Sequence, residues 1–203
     1  AVSQLRLGIK RSAEKVNLQL ISTFIHSEAE ISLKHDQVKK IKKIQIPKYN
    51  ELLDNDLLTN SVIETGPAYD FESKVWVSSK TKDVVVEFKF QDLPYCTEMP
   101  LFDRLYQMIE ISHQSLGLTA QWKTGQYSIP KSIRSFELFQ DVEVTEKLFS
   151  IHDTLTISDK YIQGDTYIVN EKEEVLMKLE GVQFAFLPQT ANIQERFKFL
   201  KSN

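Results

Sequence analysis

The chain has 203 residues, of which 41% are hydrophobic and 26% charged, and its formal net charge is −3. That is enough apolar material for one large domain or two small packed ones, and the balanced charge argues against bulk attraction to nucleic acid or to an anionic membrane. The lone cysteine, Cys96, excludes an internal disulfide and a cysteine-rich zinc site and points to a reducing, cytoplasmic setting, and no apolar run is long enough for a transmembrane helix.

Residues 1–46 predict strands. Leu5 and Leu7 alternate with polar neighbours, Val16, Leu18 and Leu20 continue the period, and Ile31 with Leu33 marks a third strand. The chain opens inside this strand-like stretch, as a segment of a longer polypeptide would. The basic run 34–43 reads as a solvated loop or strand edge rather than a binding patch. Residues 47–66 predict a connector, opened by Pro47, with 49–58 suited to a short helix and Thr65-Gly66-Pro67 as the breaker. Two strands follow. Val75 and Val77 share one face of the first, and Val84, Val86, Phe88 and Phe90 share one face of the second, across a polar loop at 78–83.

One helix stands out at 101–116. Phe102, Leu105, Ile109 and Leu116 fall at helical spacing, and Gly117 offers a stop. Residues 118–187 return to strands near 132–142, 147–157, 166–169 and 175–187, with turns near Gly164 and 170–173. Trp76 and Trp122 read as core or pocket-wall residues, and 188–203 as a C-terminal linker. A single helix among long antiparallel strands is buried only if the sheet curls around it. The predicted class is therefore α+β and hot-dog-like.

Four stretches in order carry a resemblance over nearly the whole chain. They are Ala1-Val2-Ser3-Gln4-Leu5-Arg6-Leu7, Thr65-Gly66-Pro67-Ala68-Tyr69 followed by Val75-Trp76, Ser128-Ile129-Pro130-Lys131-Ser132-Ile133, and the hairpin 170–182. Together they resemble the dehydratase domains of modular polyketide synthases. The resemblance implies a double hot dog, with 1–46 as remnant strands of the first, 47–66 as the connector and 67–187 as the second. It implies a site made of a histidine from the first hot dog and an aspartate, three residues, then glutamine or histidine from the second. Asp103-Arg104-Leu105-Tyr106-Gln107 matches that motif at the start of the predicted helix.

Two features depart from the family. Its histidine motif lies before the strand with which this chain opens, and none of His26, His35, His113 or His152 has that context. Where the family often has His-Pro before the aspartate, this chain has Glu98-Met99-Pro100. The expectation is an incomplete first hot dog and a chain that lacks the base.

The implied substrate is a 3-hydroxyacyl thioester on the phosphopantetheine arm of an acyl carrier protein, with Tyr127 and Pro130 as substrate contacts and Lys123, Lys131 and Arg134 as contacts for the carrier. Neighbouring synthase domains, and a homodimer through the parent synthase, are the other implied partners. No metal or organic cofactor is called for. Relatives of the same fold that shift double bonds, close oxygen heterocycles or assist carbon–carbon branching are the alternative, as is a non-catalytic structural domain.

Dehydration needs a base for the α-proton and an acid for the departing hydroxyl. Asp103 serves as that acid only if burial keeps it protonated, because a helix N-terminus favours the anion. Gln107, at i+4, reaches the same face to orient it. The same residues, with Glu110 and Gln114, also form a polar stripe of the kind that usually faces solvent. His113 reads as a helix-surface or core-edge residue, and Cys96 as a small buried hydrophobe.

Overall fold

The apolar stretches of the second half pair into one curled sheet. The structure, a computed structural model, describes residues 6–11, 15–21, 25–32, 42–49, 51–53, 73–77, 83–90, 100–139 and 147–188. The chain divides into two compact units, Ala1–Lys40 and Ile41–Asn203. The first contains an antiparallel meander of β1 (Arg6–Arg11), β2 (Lys15–Ile21) and β3 (Ile25–Ser32). Leu7 pairs with Leu20 and Ile9 with Leu18, so the period-2 pattern sets the register.

The second unit holds β4 (Glu51–Leu53), β5 (Ser73–Val77), β6 (Val84–Phe88), helix α1 (Pro100–Thr124), β7 (Ser128–Ser132), β8 (Ser135–Leu138), β9 (Leu148–Ile157), β10 (Tyr161–Asn170) and β11 (Val175–Phe186). Its strands run in the order β4-β5-β6-β9-β10-β11-β7, with β8 also on β11. Every pairing is antiparallel.

Both faces of this sheet are apolar, and each has its own cover. On one face, Val75, Val77, Val86, Phe88, Leu148, Ile168, Met177 and Leu179 pack with Met108, Ile111, Leu116 and Ala120 of α1. On the other, Val85, Phe149, Ile151, Tyr167, Val169 and Val175 receive Ile44, Ile46 and Tyr49. The segment 42–49 is thus a strap. Val175 N–H donates to the Lys42 carbonyl at 2.9 Å, and Ile44 N–H donates to the Glu173 carbonyl at 3.0 Å. The Glu173 carboxylate accepts from Ile46 N–H at 3.1 Å, which helps to hold Glu173 at its φ of 63°. Residues 42–46, grouped with the first strands by sequence, therefore pack on the second unit. Lys42 and Lys43 are exposed on the strap, and the rest of the basic run lies outside the described residues.

Several sequence expectations change. The helix passes through Gly117 and ends at Thr124. Gly125, at φ 71°, is the stop, and its N–H donates to the Gln121 carbonyl at 2.7 Å. Residues 51–53 are a strand where a helix was expected. The edge of β5 offers this run pairing partners, Leu52 opposite Trp76, and 54–58 lie outside the described residues. Gly164 lies inside β10 at a register shift rather than in a turn. The β9–β10 turn is built instead on Ser158, whose N–H and hydroxyl both donate to the Tyr161 carbonyl. Of the expected strand at 132–142, Ser132 ends β7 and Ser135–Leu138 forms β8, while 140–142 lie outside the described residues. Trp122 is 37% exposed, not core, and Trp76 packs on the strap side against Tyr49, with ring centroids 4.8 Å apart. The loop at 78–82 and the linker beyond Pro188 lie outside the described residues.

Gly117 tests the helix reading. An added Cβ would meet the Phe184 ring at 3.5 Å, an ordinary contact. Gly117→Ala should therefore raise stability by about 0.5–1 kcal/mol. Phe88→Ala, at a site 1% exposed, should lower it by about 3–5 kcal/mol. Urea unfolding of the two variants checks both signs.

Candidate active site

Helix α1 carries the residues singled out by the aspartate–glutamine motif. Pro100 opens it, which suits a first helical position where no N–H is needed. Asp103 falls in the first turn, and its side chain lies outside the described residues. Gln107 follows one turn later and is 1% exposed. The polar stripe is therefore not a simple solvent face. Below Gln107 it is half-buried: Gln114 donates to Glu110 at 3.3 Å, and burial pushes the Glu110 carboxyl above its ordinary pKa. His113 sits at the core edge, as expected, with its ring edge-on to Phe184 at 5.9 Å, and burial holds its pKa below the usual histidine value.

The other expected contacts lie elsewhere on the fold. Tyr127 follows the far end of α1, and its carbonyl accepts from Leu187 N–H at 2.8 Å. Gln107 and Thr124 are about 25 Å apart along the helix axis at 1.5 Å per residue. Pro130 is exposed on β7 opposite Phe184, which itself touches His113. Lys131 is exposed on the same strand. Lys123 pairs with Asp83 at 3.0 Å and Arg134 with Glu180 at 2.7 Å, so two of the three expected carrier-contact cations engage internal carboxylates. Of the remaining candidates, Cys96 and His35 lie outside the described residues, as does the His26 side chain in β3.

Sequence reasoning missed a second polar group, between α1 and the sheet. Ser112, Ser115 and Thr119 are fully buried on the helix, as are Ser150 on β9 and Thr166 on β10. Ser115 and Ser150 share a hydrogen bond between hydroxyls at 2.7 Å. His152 Nδ1 lies 3.1 Å from Thr166 Oγ1. The signal was present: Ser112, Ser115 and Thr119 recur at helical spacing, and Ser150 and His152 recur at strand spacing. These hydroxyls satisfy one another and helix carbonyls, Ser112 on Met108 at 2.7 Å and Thr119 on Ser115 at 2.9 Å.

Neither a known family profile nor a curated protein matches the sequence. Solved structures do. The dehydratase domain of PpsC from Mycobacterium tuberculosis, solved with C12:1-CoA, is 14% identical with a TM-score of 0.62, over 90% of this chain and 68% of that one. The pyran synthase domain from module nine of the sorangicin pathway is 10% identical with a TM-score of 0.67, over 91% and 72%. The dehydratase domain from the CurF module of the curacin polyketide synthase is 13% identical with a TM-score of 0.62, over 92% and 78%.

The Ser115–Ser150 bond makes a testable pair. Ser115→Ala leaves a buried hydroxyl on Ser150 without that partner and should cost about 1–3 kcal/mol, whereas replacing both serines by Ala should cost less than the two single changes added. A double-mutant cycle in urea measures the coupling. With its helix enclosed by an antiparallel sheet and these likenesses along nine-tenths of its length, the chain has the double hot-dog, dehydratase-like fold of modular polyketide synthases.

Proposed function

We propose that this chain is a dehydratase-type domain acting on 3-hydroxyacyl thioesters tethered to an acyl carrier protein. One observation carries the reading: Gln107, one turn after Asp103 at the start of the enclosed helix, is buried rather than solvated. An amide kept out of water at i+4 is placed to orient a carboxyl group on the same helix face.

In that reading Asp103 is the general acid. A base removes the α-proton, the electrons form the carbon–carbon double bond, and the C–O bond breaks as Asp103 protonates the leaving hydroxyl to water. That role requires an apolar surround that offsets the pull of the helix N-terminus and keeps Asp103 protonated. Neither histidine whose side chain the structure describes is placed as the base. His152 lies under the helix, and His113 faces Phe184 at the core edge. The carrier docks by weak, salt-sensitive contacts at the exposed Lys131, since Lys123 and Arg134 are engaged by Asp83 and Glu180.

A second reading has one observation in its favour, the likeness to a pyran synthase domain at a TM-score of 0.67. The same positioned acid would then assist closure of an oxygen heterocycle.

In the parent protein, Asp103→Asn should cut turnover of a 3-hydroxyacyl carrier protein by a factor on the order of 10²–10⁴ with the circular dichroism spectrum unchanged. Residues 1–203 alone should release no water. Mass spectrometry distinguishes the chemistries, because dehydration removes water from the acyl chain and ring closure leaves its mass unchanged. Undiminished turnover by Asp103→Asn would remove that residue from the mechanism.

A further inference from the structure

Glu110 of α1 is half-buried, and among the described residues the partner of its carboxylate is Gln114, at 3.3 Å. No described cation balances it. We propose that Glu110 recognises the arm that carries the substrate: its carboxylate accepts the N–H of the amide nearest the thioester. This rests on the reading of the chain as acting on carrier-tethered thioesters, and it assigns a residue to the arm rather than to the acyl chain.

Asp103 and Glu110 stand two helical turns apart on α1, so they share a face and are separated by about 10.5 Å along the axis. In a 3-hydroxyacyl thioester of phosphopantetheine, about seven bonds separate the hydroxyl oxygen from the first amide nitrogen of the arm, roughly 9 Å when extended. With the hydroxyl at Asp103, that N–H falls within reach of a carboxylate at position 110.

The side of entry agrees with this spacing. Lys131 lies on β7 next to Pro130, and Pro130 pairs with Phe184. The Phe184 ring lies against α1 at His113 and beside Gly117. Gly117 is two turns past Glu110 on the same face. An arm that enters beside β7 and reaches for Asp103 therefore runs past Glu110.

The arm also supplies what the carboxylate lacks. A thioester has no donor of its own, and the hydroxyl is taken by Asp103, so the first amide N–H is the nearest donor left to an acceptor-only group. Burial disfavours the Glu110 anion, and the Gln114 amide offsets that only in part. A hydrogen bond to an ionised acceptor is of the stronger kind.

The experiment presents residues 1–203, which should leave both ligands unturned, with two soluble thioesters of 3-hydroxybutyrate. One is the N-acetylcysteamine thioester, which keeps the first amide of the arm. The other is its ester twin, with oxygen in place of the N–H. Binding is followed by NMR on the amides of α1 and on the Glu110 carboxyl carbon. The native chain should bind the amide on the order of 10-fold tighter than the ester, and the Glu110 carbon should shift with the amide alone. Glu110→Ala should bind both equally, and Glu110→Gln, which keeps an acceptor without the charge, should fall between. Equal affinities in the native chain, a preference that survives Glu110→Ala, or binding of neither ligand overturns the proposal. If Glu110→Ala does not fold, the native chain and Glu110→Gln decide. Turnover by the parent protein separates the subsite from the chemistry. A preference for the amide without release of water keeps the subsite and removes dehydration, whereas dehydration without the preference removes the subsite.

Discussion

The second unit depends on one constraint: a sheet that is apolar on both faces must be covered on both. Val84, Val85 and Val86 show it in three consecutive residues, all about 1% exposed or less, with Val84 and Val86 toward the helix and Val85 toward the strap. Helix α1 fills the concave side, and residues 42–49 close the convex side. Removing either cover exposes a row of branched side chains to water, at roughly 25 cal/mol per Å² of apolar surface. The paired backbone of β5, β6 and β9–β11 cannot compensate for that, because its hydrogen bonds are exchanged for bonds to water on unfolding.

That constraint also shapes the candidate site. A helix enclosed over most of its length has few places where a polar side chain reaches substrate, and its N-terminal turns are one. Gln107 lies at the boundary between the enclosed face and that end. Further along, the polar residues of α1 divide into two sets. Ser112, Ser115 and Thr119 turn inward and bond to carbonyls or to β9, while Glu110, His113 and Gln114 stay half-buried at the core edge. The first set is a structural seam, and the second borders the face on which the aspartate–glutamine motif begins.

Much of this was legible in the sequence. The spacing of Val16, Leu18 and Leu20 and of Val84, Val86 and Phe88 marked strands because every second residue shares a face, and the helical period of Leu105, Ile109 and Leu116 marked the helix. The aspartate–glutamine motif was legible as a pattern, but its burial was not, because the same stripe suits solvent. Gly117 misled as a stop, since the helix continues through it with ordinary van der Waals room for a Cβ beside Phe184. The strap was illegible because its short apolar signal, Ile44 and Ile46, looks like any strand end, and its bonds run to Glu173 and Val175 far along the chain. The Ser–His–Thr seam escaped for a related reason. Small hydroxyl residues score as polar in a linear reading, yet those on the helix are satisfied by carbonyls one turn back and those on the strands by side chains across the seam.

The enclosure of α1 is the claim on which the fold and the burial of Gln107 both rest. Native-state hydrogen exchange tests it most directly. The amides of residues 105–120 should exchange only through global unfolding, with protection equal to that of β10 and β11. Exchange of these amides at the rates of an exposed surface helix, while β10 and β11 remain protected, would contradict the account.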